Sequence, residues 1–153
     1  RGAVPLSPVG LAPHGKPESL SECARRLEPD GLISAQHAGW IRLLDVFAQL
    51  IANTDRHFGN ITLFDRYEGP FEMAPVYDML PMLFAPQHEQ LVDRPYEAAP
   101  PGAASLSVWD QARSLAERYW ALLADETRLS ESFRSLCARS FETLRALSVR
   151  GLS

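Results

Sequence analysis

The sequence predicts a mainly α-helical domain built round a small β-hairpin. Apolar residues recur at helical spacing in three long stretches, residues 34–51, 107–123 and 130–147. Between the first and second of these the period shortens. Ile61-Thr62-Leu63-Phe64 and Phe71-Glu72-Met73 read as two strands, with turn residues from Asp65 to Gly69-Pro70 between them. A length of 153 residues suits one domain with one hydrophobic core, spanning residues 1–153.

Taken in order, the chain opens on a strand-like run, Arg1 to Leu6, and a Pro- and Gly-rich connection through Pro13 and Pro17. It starts without Met and reads as the middle of something longer, so the expectation is a fragment. Ser19 to Leu27 reads as a short helix with Leu20, Cys23 and Leu27 on one face, and Asp30-Gly31 marks a turn. In the helix over 34–51, Ile41, Leu44, Phe47, Leu50 and Ile51 keep helical spacing. Leu43 and Val46 widen that face, as in a helix buried on more than one side. Pro75 has no N–H to give a ladder and ends the second strand. Pro81, Pro86, Pro95, Pro100 and Pro101 interrupt regular structure, so residues 81–106 are expected to be an irregular loop. Ser107-Val108-Trp109-Asp110 has the look of a capping box opening the next helix. The last helix is expected to start near Ser130, to use Phe133, Leu136, Cys137, Phe141, Leu144 and Leu147, and to end at Gly151 as a C-cap.

Composition excludes several classes. An apolar content of 46% with 22% charged residues belongs to an ordinary globular protein rather than a disordered one. The net charge of −4 argues against direct nucleic-acid binding, because phosphate backbones attract basic surfaces. The two cysteines, Cys23 and Cys137, have no CxxC spacing, and no Cys/His cluster offers a zinc site. They read as buried free thiols of a cytoplasmic protein. No apolar run is long enough to span a membrane, and there is no signal peptide.

The chemistry concentrates in Asn53-Thr54-Asp55-Arg56-His57-Phe58-Gly59-Asn60, where only Phe58 is neither polar nor glycine. The flanks, Phe47 to Ile51 and Ile61 to Phe64, are strongly apolar, so this polar loop is held between two core elements. Phosphoryl transfer needs a carboxylate to orient the acceptor hydroxyl and take its proton, and oxygen ligands for magnesium. Protein kinases place a metal-binding Asn five residues after the catalytic Asp and a second metal-binding Asp beyond a hairpin. Asp55 and Asn60 have that five-residue spacing, and Asp78 follows the Ile61–Met73 hairpin. The fold-back of the two strands would return Asp78 to Asn60.

Those residues, followed by Ala74-Pro75-Val76-Tyr77-Asp78-Met79-Leu80-Pro81, resemble the catalytic and metal-binding loops of HipA-type kinases, the toxin components of bacterial toxin–antitoxin systems. The resemblance covers Ile41 to Phe84; the helical remainder fits in general character. It implies a protein-kinase-like C-terminal lobe that transfers the ATP γ-phosphate to a protein Ser or Thr, with ATP and Mg2+ as cofactors. It implies Asp55 as catalytic base, Asn60 and Asp78 as magnesium ligands, and His57 and Tyr77 beside the nucleotide phosphates. It further implies a protein substrate, an aminoacyl-tRNA synthetase in known cases, an antitoxin partner, and autophosphorylation in many members. Asp55-Arg56-His57 with Asn60 also resembles the catalytic loop of phosphatidylinositol 3/4-kinases. Those kinases carry an Asp-x-Gly type sequence after the hairpin, whereas this chain has Asp78-Met79-Leu80-Pro81, which favours the HipA side.

Two kinase features are missing: a glycine-rich loop over the phosphates and a strand lysine that pairs with them. His14-Gly15-Lys16 is an ordinary turn followed by Pro17. The expectation is therefore a lobe without its N-terminal ATP-binding partner, inactive alone. A non-catalytic kinase remnant that docks a partner, and a metal-dependent phosphohydrolase, use the same residues and stay open at this stage. Taken singly, Asp55 reads as a solvated loop acid and Asn53 as a C-cap in the left-handed conformation; the joint spacing with Asn60 and Asp78 argues for function. His57 divides evenly between nucleotide contact and bracing the loop, and Tyr77 between core packing and a phosphate neighbour. His14, His37 and His88 read as surface or packing residues, Trp40, Trp109 and Trp120 as core, and Arg25-Arg26 as a solvated face.

Overall fold

A computed structural model describes residues 3–5, 19–56, 60–65, 69–103 and 105–150. Strand β1 (Ala3–Pro5) is followed by α1 (Leu20–Leu27) and α2 (Ala35–Leu50), then by β2 (Thr62–Phe64) and β3 (Glu72–Met73). Two 3-10 turns, Met82–Phe84 and Leu106–Val108, precede α3 (Trp109–Asp125) and α4 (Glu131–Arg150). The mainly helical expectation holds. The β part is larger than a hairpin: β1 pairs antiparallel with β2 on the edge away from β3, giving a three-stranded sheet in the order β1-β2-β3. In register, Leu63 faces both Val4 and Met73.

Helices α1, α2 and α4 each start at a serine whose hydroxyl accepts an N–H of the first turn. At α1, Ser19 and Glu22 form a reciprocal capping box: the Ser19 hydroxyl accepts from the Glu22 N–H, and the Glu22 carboxylate accepts from the Ser19 N–H at 2.9 Å. Ser34 caps α2 by accepting from the His37 N–H, and Ser130 caps α4 by accepting from the Phe133 N–H. The capping box expected at Ser107 is not formed. The 3-10 turn Leu106–Val108 leads into α3 instead, and its N-cap Val108 already sits near helical backbone angles, with no side-chain cap. The C-cap expected at Gly151 lies outside the described residues.

Helix α2 is the spine shared by two apolar clusters. Its N-terminal half packs Ala38 and Ile41 against Leu20, Cys23, Ala24 and Leu27 of α1 and against Ile61 and Leu63. Its C-terminal half packs Val46 and Leu50 against Trp109, Ala112, Ala116 and Trp120 of α3, Leu136, Cys137 and Leu144 of α4, and Phe84. Small residues at Ala112 and Ala116 let the α2 and α3 backbones approach, and Trp120, fully buried, fills the space beyond them. The indole N–H of Trp120 donates to the Leu50 carbonyl at 3.0 Å, and the Tyr96 hydroxyl donates to the same oxygen. One carbonyl left over at the end of α2 is thereby satisfied twice.

Trp109 and Trp120 are core as expected, but Trp40 is 43% exposed. Ala38, Ile41 and Asp45 take the inward side of α2 there, which turns Trp40 outward against the His37 ring. Cys23 and Cys137 are both buried free thiols. No helix among the described residues is long and apolar enough to cross a membrane.

Candidate functional site

The site grows from the way α2 ends. Ala52 adopts the left-handed conformation at φ 59°; its N–H bonds the Gln49 carbonyl, and the Asn53 N–H reaches back to the Ala48 carbonyl at 2.9 Å. This is a Schellman termination with Ala where Gly is usual. The left-handed residue is Ala52, not Asn53, which taken singly reads as a left-handed C-cap. The turn aims the Asn53 side chain inward, where it is 3% exposed, and sends Thr54, Asp55 and Arg56 to the surface.

Asn53 then joins the loop's two halves. Its Oδ1 accepts the Asp55 N–H at 2.9 Å, and its Nδ2 donates to the Asp78 carbonyl at 3.3 Å. One carboxamide thus fixes the backbone at both carboxylates the sequence singled out. Farther along, the Leu83 N–H donates to the Ala52 carbonyl at 3.0 Å, so the segment after Asp78 is stitched to the same turn.

Asn60 begins the return into the sheet and is buried, 5% exposed. Its Nδ2 donates to the Asp55 carbonyl at 3.3 Å. Its Oδ1 is buried and, among the described residues, accepts no hydrogen bond. A buried amide oxygen without a donor is costly unless a cation or water takes the lone pairs. Asp78 is exposed and sits in the left-handed region at φ 59°. Asp tolerates that conformation better than most residues, and such backbone angles persist where the surroundings enforce them. Asp55 is exposed as well.

Asp55, Asn60 and Asp78 are thus tied to one another through Asn53 and the Asp55 carbonyl. Tyr77 is 43% exposed, so it is not core packing; its hydroxyl shares a 2.9 Å hydrogen bond with Thr62 of β2. Together with the Ala74 N–H donated to the Thr62 carbonyl, this holds the run from β3 to Asp78 beside the start of β2. His57 lies outside the described residues, as do Phe58, Gly59 and His14 to Lys16, where the sequence predicts a turn. Among the described residues no three His, Cys, Asp or Glu side chains cluster as a metal site.

The sequence reading missed a polar network that ties Arg56 of the loop to Asp45 and Ser21 behind it. Asp45, on the inward side of α2, is 4% exposed. Its Oδ2 accepts from the Ser21 N–H at 3.0 Å and the Ser21 hydroxyl at 2.6 Å, and its Oδ1 accepts from Arg56 Nη1 at 3.1 Å. The one sequence signal that could have found it is a lone carboxylate on an otherwise largely apolar helix. A cavity of about 670 Å³ opens beside the segment after Asp78 between Leu80, Met82, Phe84, Leu91 and Phe133. Its lining is apolar with Glu89 as the charged member, which suits it poorly to phosphate groups.

No family model matches the chain, and no solved structure matches it. Among known proteins, the chain is 35% identical over 132 residues to Toxin YjjJ of Escherichia coli (strain K12). That match takes in 86% of this chain and 30% of the toxin, so the chain spans about a third of the length of the relative it matches.

Proposed function

We propose that this chain is the catalytic C-terminal lobe of a HipA-like serine/threonine protein kinase that acts as a toxin. The observation that carries the reading is the Asn60 amide: buried, anchored through Nδ2 to the Asp55 carbonyl, and left with an unpartnered Oδ1. That is an oxygen a hard cation would take, and an amide oxygen combined with carboxylates would suit magnesium rather than zinc. The similarity to a protein named a toxin supports the toxin part of the reading.

In this reading Asn60 Oδ1 and the Asp78 carboxylate hold Mg2+, which when bound offsets charge on the ATP phosphates. The Asp55 carboxylate orients a Ser or Thr hydroxyl of the acceptor protein and takes its proton as the oxygen attacks the γ-phosphorus and the bond to the bridging oxygen of ADP breaks. Asn53 keeps the backbone at Asp55 and at Asp78 in fixed relation, which matters because catalysis of this kind is mostly positioning. Tyr77 and His57 serve the nucleotide phosphates. An antitoxin partner and an aminoacyl-tRNA synthetase as substrate belong to the same proposal.

The test is Asp55→Asn in the complete protein, with phosphate transfer from labelled ATP to a protein acceptor as the readout. The fold should survive, because Asp55 is exposed, and transfer should fall by about 100-fold or more. Robust transfer in that variant rejects the assignment. A titration that shows no magnesium-dependent ATP binding by the complete protein would favour the binding-module alternative instead.

A further inference from the structure

We propose that Asp45 and Arg56 are positioning residues that lock the catalytic loop by clasping it to helix α1. Asp45 is buried on α2, where an isolated carboxylate would be costly. Three donors compensate. Two come from Ser21 in the first turn of α1, whose N–H has no carbonyl partner within its own helix and whose hydroxyl stands beside it. The third is Arg56, in the loop itself, at 3.1 Å.

The orientation of Arg56 turns a structural ion pair into a loop clamp. While Nη1 grips Asp45, Nε donates to the Asn53 carbonyl at 3.1 Å. Asn53 is the residue whose side chain holds the Asp55 N–H and the Asp78 carbonyl. The planar guanidinium therefore connects a buried anion to the one residue that sets both candidate catalytic segments. Its fork geometry matters: a lysine ammonium at the same place is a single point donor and cannot span both acceptors in the same way. The route runs Ser21, Asp45, Arg56, Asn53, so the seating of α1 on α2 is coupled to the shape of the loop.

The experiment uses Arg56→Ala in the complete protein. Arg56 is only partly buried, with its side chain 31% exposed, so the fold should persist; Asp45→Asn serves as a second variant of nearly unchanged size. Hydrogen exchange is followed at the Asp55 amide, and Arg113→Ala, which removes a helix-surface pair with Glu117, serves as control. Exchange at Asp55 should accelerate about tenfold in Arg56→Ala and Asp45→Asn, and stay unchanged in the control. Arg56→Lys should behave like Arg56→Ala; full recovery with lysine overturns the clasp, since charge alone would then suffice. The kinetic part rests on the proposed phosphotransfer: kcat should fall about 10- to 100-fold with the KM for ATP nearly kept. Accelerated exchange in a protein whose unsubstituted form transfers no phosphate supports the clasp and sinks the kinase reading. Unchanged exchange in both variants overturns the clasp whatever the activity.

Discussion

The carboxamide of Asn53 reaches across 25 residues of chain to the carbonyl of Asp78, 3.3 Å away, while its other end holds the amide of Asp55. Burial makes that bridge consequential, since Asn53 is 3% exposed and water cannot easily replace it. Asn53→Ala leaves the Asp55 N–H and the Asp78 carbonyl without their partner. The expected cost is about 1–3 kcal/mol of stability, read as a lower urea midpoint at unchanged slope. Phosphate transfer in the complete protein should fall with it, because both carboxylates lose their fixed relation. A variant as stable as the parent would mean the bridge is not formed in solution.

Asn60 separates two roles of one side chain. Its Nδ2 holds the Asp55 carbonyl and its Oδ1 is an unused buried acceptor. Asn60→Ala removes both, and Asn60→Asp keeps an oxygen for a cation while losing the donor. Mn2+ affinity, followed by electron paramagnetic resonance in the complete protein with nucleotide present, should fall by about 10-fold or more in Asn60→Ala. Asn60→Asp should retain more of it, because a carboxylate is a good ligand for a hard cation. Equal affinities in all three proteins would remove Asn60 from the ligand set.

Much of this architecture is legible in the sequence, and what escapes does so for identifiable reasons. The helices over 20–27, 35–50 and 131–150 announce themselves through spacing of apolar residues, since each buries a face, and Ser19, Ser34 and Ser130 mark their starts. Ser107 shares that chemistry but lies inside a 3-10 turn, and only the backbone angles at the entry decide whether a hydroxyl can reach a helix N–H. Spacing singled out Asp55, Asn60 and Asp78 as candidates, because a loop and a hairpin leave a regular trace in the chain. It did not find Asp45, Arg56 and Ser21, whose relation is purely tertiary: 24 residues separate Ser21 from Asp45, and nothing local links them. The pairing of β1 with β2 was likewise beyond reach, because a three-residue strand carries no information about its partner.

Ala52 offers a test of the turn that launches the loop. At φ 59° it occupies a conformation that glycine takes freely and a β-branched residue resists. Ala52→Gly relieves backbone strain but gives up a buried methyl and adds freedom to the unfolded chain, terms of about 1 kcal/mol each. Its stability should therefore stay within about 1 kcal/mol of the parent. Ala52→Val should cost about 2 kcal/mol or more, combining the disfavoured backbone with overpacking at a position only 6% exposed. Urea midpoints of the two variants measure the difference, and a valine variant as stable as the glycine variant would show that the chain leaves α2 by another route.

The helical core should weaken in alkali. Burial pushes the phenols of Tyr96 and Tyr119 up to about 12 from an ordinary 10.0, and the Cys137 thiol up to about 11 from 9.0. Ionised Cys137 would add repulsion at Tyr119. All three groups are neutral acids whose folded-state pKa lies above the unfolded one, so the unfolded chain releases their protons first. Their contribution to stability is complete below about pH 9 and is lost as pH rises, over 9 to 11 for the thiol and 10 to 12 for the phenols. Urea midpoints should therefore hold level from about pH 7 to pH 9 and fall steadily above it. Tyr119→Phe, which removes the phenol and keeps the ring that packs on Phe47 and Trp120, should make the decline shallower. A midpoint independent of pH up to about 11 would mean that these groups are in contact with water and that the packing round Trp120 is looser than described.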